Sequence, residues 1–263
     1  MPSSREKTIF FPRASAPAAL DGASLAFLRR RQPERCVVFA SWAALEPEED
    51  RFDPEAFEAL RRDLILAGSL GAEPMLCLCR DEDPAWFADK GGWLREDNLR
   101  CYLRYAGKTV RTVGHLAGEY ITFYEPNARI WQEEEGSLLH RITALSMICC
   151  AHVRAVKLIR DTREQRQLEE TKGGFVLRMR SPAALRRDVL LRRLPGGGLY
   201  QQLPLLAMAN GEFRLPLRNA LRVQQGRWAD FVGVTGEQDA ERRQECCALV
   251  KELTGADAVI MEE

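Results

Sequence analysis

The sequence predicts an α/β protein on a parallel sheet of about seven strands, incomplete relative to a closed (β/α)8 barrel. Three observations predict it. Short apolar runs of strand length, such as residues 36–40 and 74–79, alternate with longer stretches of helical period. From residue 36 to residue 126 the order is strand, helix, strand, helix, strand, which right-handed crossovers turn into a parallel sheet. Polar loops collect after the strands, at the rim where such sheets place chemistry.

Each element has its own signal. Thr8-Ile9-Phe10-Phe11 is a possible first strand, and Asp21 to Ser24 can cap a helix through Leu25 and Leu28. Cys36-Val37-Val38-Phe39-Ala40 reads as a strand buried on both faces, followed by an irregular loop from Ser41 to Pro47. Asp53-Pro54 opens a helix, with Phe57, Leu60, Leu64 and Ile65 on one period until Gly68 and Gly71. After the strand at 74–79 come a loop with Trp86 and Trp93, a helix through Leu99, Tyr102 and Val110, and a strand that stops at Glu125. One long helix covers 138–160, a strand 175–179, a helix 185–194 and a loop 195–198. Strand 230–234, helix 241–253 and strand 258–261 finish the chain as one domain over 1–263, with residues 1–20 the least patterned.

Composition narrows the function. With 46% hydrophobic and 29% charged residues, the 263-residue chain can bury a sizeable core. Lys+Arg and Asp+Glu are both 38, which argues against counterion-release binding to nucleic acid and against an electrostatic membrane anchor. The polar N-terminus lacks a leader's apolar region and no apolar run of spanning length stands out, so a cytoplasmic protein is expected. Its eight cysteines then read as thiols. Cys77 and Cys79 are spaced to share a strand face, but no CxxC or neighbouring His completes a metal site. No cofactor is expected: Gly196 to Gly198 lacks the strand-glycine-helix context of a phosphate loop.

The stretch Ile121-Thr122-Phe123-Tyr124-Glu125-Pro126-Asn127 organises the rest. Proline bars the preceding residue from the helical region, so Glu125 sits at or just past a strand end. Around it, Ser41-Trp42 with Leu45-Glu46-Pro47-Glu48, Glu73-Pro74-Met75, Pro84-Ala85-Trp86-Phe87 and Lys90-Gly91-Gly92-Trp93-Leu94 come in order, as do Asp230-Phe231-Val232-Gly233-Val234 and Val259-Ile260-Met261-Glu262. Together these resemble glycoside hydrolase family 1, the β-glucosidase and 6-phospho-β-glucosidase family, over most of residues 36 to 263.

The resemblance implies a TIM-barrel-like fold acting on β-linked saccharides or aryl glycosides with retention. It implies Glu125 as acid/base and Glu262 as nucleophile, and Arg80, Tyr124, Trp86, Trp93 and Asn127 as the positions near the sugar. Two carboxyls about 5 to 5.5 Å apart are what retention needs, and their repulsion would keep one protonated. Trp86 and Trp93 can stack on a sugar or brace the rim.

Departures from the family concentrate at the site. The Arg beside the nucleophile is matched by Val37, the sugar-binding His by Arg80, the Asn before the acid/base by Tyr124, and the Asn-Tyr pair after the sixth strand by Thr235-Gly236. The eighth strand with its tryptophan loop has no counterpart, which would leave two sheet edges open unless seven strands close, the N-terminal segment plugs the gap or a second chain covers it; a homodimer is favoured on that ground. Three functions remain as alternatives: hydrolysis impaired or lost, an active compact β-glycosidase or 6-phospho-β-glycosidase, and a non-catalytic barrel that binds a sugar or a protein.

Overall fold

Among the described residues, seven parallel strands close on themselves in chain order, β1 to β7, and helices cover the outside. The computed structural model describes residues 9–10, 22–80, 83–132, 137–169, 171–181 and 198–262. The strands are β1 (Ile9–Phe10), β2 (Arg35–Phe39), β3 (Glu73–Cys77), β4 (Glu119–Tyr124), β5 (Lys172–Arg178), β6 (Phe231–Thr235) and β7 (Asp257–Glu262). The main outer helices are α1 (Gly22–Arg31), α3 (Pro54–Ser69), α5 (Leu99–Val113), α7 (Leu138–Gln165), α8 (Leu203–Asn210) and α9 (Ala240–Thr254). Three shorter ones, α2 (Trp42–Leu45), α4 (Ala85–Asp89) and α6 (Pro126–Gln132), lie on the rim. The expected helix at 185–194 and all but the last residue of the loop at 195–198 lie outside the described residues.

The ring closes with seven strands, one of the outcomes open to a sheet without an eighth. Ile9 pairs with Arg35 on one side and Met261 on the other, and Phe10 pairs with Cys36 and Glu262. Two residues of β1 thus join β2 to β7, and the open-edge argument for a homodimer loses its premise.

Alternation along each strand divides the apolar residues into two cores. Val37, Met75, Cys77, Ile121, Tyr124, Val176, Phe231 and Met261 fill the barrel, with Phe39 and Val259 against them. Cys36, Val38, Leu76, Phe123, Phe175 and Val232 face outward onto the helices. Cys77 and Cys79 therefore do not share a face: β3 ends at Cys77, and Cys79 packs in the outer core.

A ring of few strands is narrow, so large inward side chains need small neighbours. Gly174 and Gly233 provide them. A Cβ on Gly174 would lie 2.4 Å from the Phe231 carbonyl oxygen and 2.8 Å from its ring. Gly174→Ala is accordingly expected to destabilise by about 1–3 kcal/mol or more through overpacking, read as a lower urea midpoint at unchanged slope.

Helix boundaries match their caps. Asp53 accepts from the amides of Glu55 (2.8 Å) and Ala56 (3.2 Å), and Pro54 starts α3. Ser137 caps α7, and Asp239 and left-handed Gly255 bracket α9. Contrary to the sequence expectation, α7, at 28 residues, is long and apolar enough to cross a membrane, by length and composition only. Here it is a core helix, with Leu145, Ile148, Ala151, Ala155 and Ile159 buried.

Candidate functional site

The carboxyl ends of the strands form one rim, and two tyrosines of α5 fix it. Tyr105 donates its hydroxyl to the Leu78 carbonyl (2.8 Å) and Tyr102 to that of Thr122 (2.9 Å). At the end of β4 the pairing register with β5 shifts between Ile121 and Tyr124. Such a shift re-aims the side chains beyond it. Thr122 and Phe123 both face the outer shell: Thr122 Oγ1 lies 2.6 Å from His152 Nδ1 of α7, and Phe123 joins the outer core. Tyr124 turns into the barrel.

Glu125 then leaves the strand in the left-handed region, with φ 48°. A side-chain-bearing residue stays there only where its surroundings hold it. Its amide donates to the Val176 carbonyl at 2.9 Å, and its carbonyl accepts from the Arg129 amide at 3.1 Å. Glu125 is 8% exposed, and both oxygens of its carboxylate are engaged. Oε1 accepts from the Thr235 hydroxyl, and Oε2 meets Arg178 Nη2 at 2.8 Å.

The other side of the mouth is filled by apolar and cationic groups. The Arg80 guanidinium lies 4.5 Å from the Phe39 ring centroid and 5.6 Å from that of Tyr124, and the two rings meet edge-on at 6.0 Å. Val37, where the family resemblance expects an Arg, is 0% exposed within the apolar filling of the barrel.

The remaining expected positions are drawn inward. Asn127 is fully buried, and its amide is spent on backbone: Nδ2 donates to the carbonyls of Arg178 (2.8 Å) and Tyr200 (2.9 Å), and Oδ1 accepts from the Arg178 amide (3.2 Å). Trp93 packs among Trp42, Phe87, Tyr102 and Phe123, and its indole N–H donates to Asp83 at 2.8 Å. Burial pushes the Asp83 carboxyl up, against the opposing pull of Arg129 and that indole. Trp86 is half-buried, edge-on to Trp42 at 5.9 Å, with its N–H on the Glu46 carbonyl at 2.9 Å. Glu262 occupies the carboxyl end of β7, on the same rim as Glu125; its side chain lies outside the described residues.

So Arg80, Tyr124 and Glu125 gather at the mouth, whereas Asn127 and Trp93 are structural struts of the rim. Sequence reasoning passed over Arg178 and Tyr200. Arg178 was legible in principle, because it ends β5 just as Glu125 comes directly after β4, in the position that carries chemistry in such folds. Tyr200 had no such signal, since it sits in a π-helical segment, residues 198–202, outside any strand.

All eight cysteines are free thiols. Burial pushes Cys36 and Cys246 up to about 12 and Cys150 up to about 11, which removes them as nucleophiles.

No protein-family model matches the chain, and no curated protein does. Solved structures do. A β-glycosidase from Pyrococcus horikoshii aligns over 80% of this chain and 50% of its own, at 24% identity and TM-score 0.66. A Thermotoga maritima β-glucosidase aligns over 80% and 51%, at 18% identity and TM-score 0.67. The GH1 β-glucosidase of Exiguobacterium antarcticum aligns over 80% and 52%, at 15% identity and TM-score 0.65. The chain thus spans about half the length of these structures. At such identities the likeness shows the fold alone: a barrel similar to that of these β-glycosidases.

Proposed function

We propose that this chain is a family 1-like barrel whose glycosidase chemistry is impaired or lost. The observation that carries the reading is the state of Glu125. A general acid must present a proton to the leaving oxygen within hydrogen-bond reach. Here one carboxylate oxygen lies on an Arg178 guanidinium and the other on a hydroxyl, so neither is directed at a substrate. Loss of such acid catalysis alone costs about 10²–10⁴ in rate.

Neighbouring substitutions add to this. Val37 offers a nucleophile no charge partner, and Tyr124 replaces the amide that would bind the sugar's 2-hydroxyl. That contact is worth several kcal/mol in the transition state by general estimate. Arg80, the residue at the position of the family's sugar-binding His, is held against the Phe39 ring at 4.5 Å and near that of Tyr124 at 5.6 Å.

The test is hydrolysis of 4-nitrophenyl β-glucoside and of its 6-phosphate by the wild-type chain and by Glu125→Gln. The expected result is no nitrophenolate release by wild type above that of the variant. Turnover that disappears in Glu125→Gln would instead establish an active glycosidase.

A further inference from the structure

Three arginines from neighbouring helices grip the end of α5 and the turn after it. Arg61 of α3 donates Nη2 to the Thr112 carbonyl (3.3 Å), and Arg166, just past α7, donates Nη1 to that of Arg111 (2.6 Å). Arg163 of α7 donates Nη1 to the carbonyls of Gly114 (2.7 Å) and Ala117 (2.6 Å). Arg111 and Thr112 are consecutive, so the guanidiniums of Arg61 and Arg166 converge on one spot. His115 follows at once, in the 3-10 turn Gly114–Leu116. This face lies at the amino ends of β4 and β5, opposite the mouth.

Helix C-termini attract cations, which accounts for the placement of these side chains. It does not account for their charge. Among the described residues, the only carboxylate within ion-pair distance of the three is Glu58, 3.4 Å from Arg61 Nε. That carboxylate and the half negative charge of a helix end leave about 1.5 positive charges uncompensated. Two neighbouring groups register the excess. The charges that act on His115 are Arg61 and Arg166, and those on Tyr120 are Arg163 and Arg166. Burial first, and then those two arginines, hold His115 below its ordinary value.

Solute can reach this place. Arg166 and His115 are exposed, and the Arg61 side chain is 33% exposed. Arg166 gives one nitrogen to backbone, and Arg61 commits Nη2 to backbone and Nε to Glu58, so each has N–H groups left over. A guanidinium with open N–H groups is matched to phosphate oxygens. Two such groups and an imidazole suit one tetrahedral anion, and are too few for the many-phosphate contact of a nucleic-acid binder.

We propose that Arg61, Arg166 and His115 form a surface site for a phosphate group, on the face of the barrel opposite the mouth. The site does not depend on glycoside hydrolysis: it stands whether or not the chain turns over sugars.

Imidazole NMR tests it, with His140, exposed at the start of α7, as the internal control. Inorganic phosphate and, separately, glycerol phosphate are titrated at fixed pH, with ionic strength held by chloride. In wild type the His115 resonances should shift saturably while those of His140 stay in place. The His115 pKa should rise as bound phosphate offsets the arginines. The tighter of the two titrations tells a free ion from an ester. Arg61→Gln and Arg166→Gln each keep a donor for the backbone but lose the charge. Each should bind roughly tenfold or more weakly, the worth of a hydrogen bond to a charged group. Arg62→Gln removes an exposed charge of α3 outside the site. It should leave the affinity within about twofold, because salt screens a charge that makes no contact. No saturable shift at His115, an equal shift at His140, undiminished binding by both site variants, or an equal loss in Arg62→Gln would overturn the proposal.

Discussion

Glu46→Ala is expected to lower the free energy of unfolding by about 3–5 kcal/mol, the range for breaking a buried charge pair from one side. Glu46 is 0% exposed and organises the rim segment after β2. Its Oε2 accepts from the Trp42 indole at 2.9 Å, and its Oε1 accepts from the Asp50 amide at 3.0 Å and pairs with Arg104. Alanine would leave the indole, the amide and one arm of Arg104 without their acceptor. Arg104 keeps Asp50 at 2.9 Å and is 27% exposed, which places the effect nearer the lower bound. Urea denaturation reads it directly, and a loss below about 1 kcal/mol would show that the network is dispensable.

Acidification is expected to destabilise the fold through His152. This side chain is fully buried between α7 and the barrel, against Thr122 and edge-on to Phe175 at 4.9 Å. Burial pushes it down to about 3 from its ordinary value of 6.5. Between those two values the unfolded chain binds a proton that the folded chain does not. Stability contributed by the neutral ring is therefore complete above pH 6.5 and is lost as pH falls towards 3. The slope is about 1.4 kcal/mol per pH unit. Unfolding free energies near pH 7 and near pH 5 should differ by about 2 kcal/mol more in wild type than in His152→Asn, which has nothing to protonate. Equal differences in the two proteins would contradict the assignment.

The fold was legible because the inward and outward alternation of β2 to β7 is written in apolar residues. Val37 and Val38 announce a strand buried on both faces, and Asp53-Pro54 announces a helix start. The first strand was legible as a possibility at Thr8 to Phe11; that two of its residues, Ile9 and Phe10, join β2 to β7 is seen only in three dimensions. Helix α8 was missed because Leu203 to Asn210 is apolar all round and carries no period, as suits a helix with Leu205, Leu206, Ala207 and Met208 buried.

At the site, the sequence located Glu125 but not its anchors. Its partners Arg178 and Thr235 are 53 and 110 residues away in the chain, and the pairing of β4 with β5 and of β5 with β6 brings them to it. Thr235 stood out as a departure from the family resemblance, yet its hydroxyl's engagement with Glu125 is a fact of three dimensions. Asn127 was named through the family resemblance alone, and its buried amide donates to main chain.

The proposal to be tested is that this mouth supports neither step of glycoside cleavage: its carboxylate is tied to Arg178 and Thr235, and Val37 gives a nucleophile no charge partner. An activated substrate, 2,4-dinitrophenyl β-glucoside, gives the most direct measurement, since its leaving group departs without protonation and exposes any remaining nucleophilic step. The account predicts the same background phenolate release from wild type and Glu125→Gln, with neither an initial burst nor sustained turnover. Saturable release by the wild-type chain would contradict it.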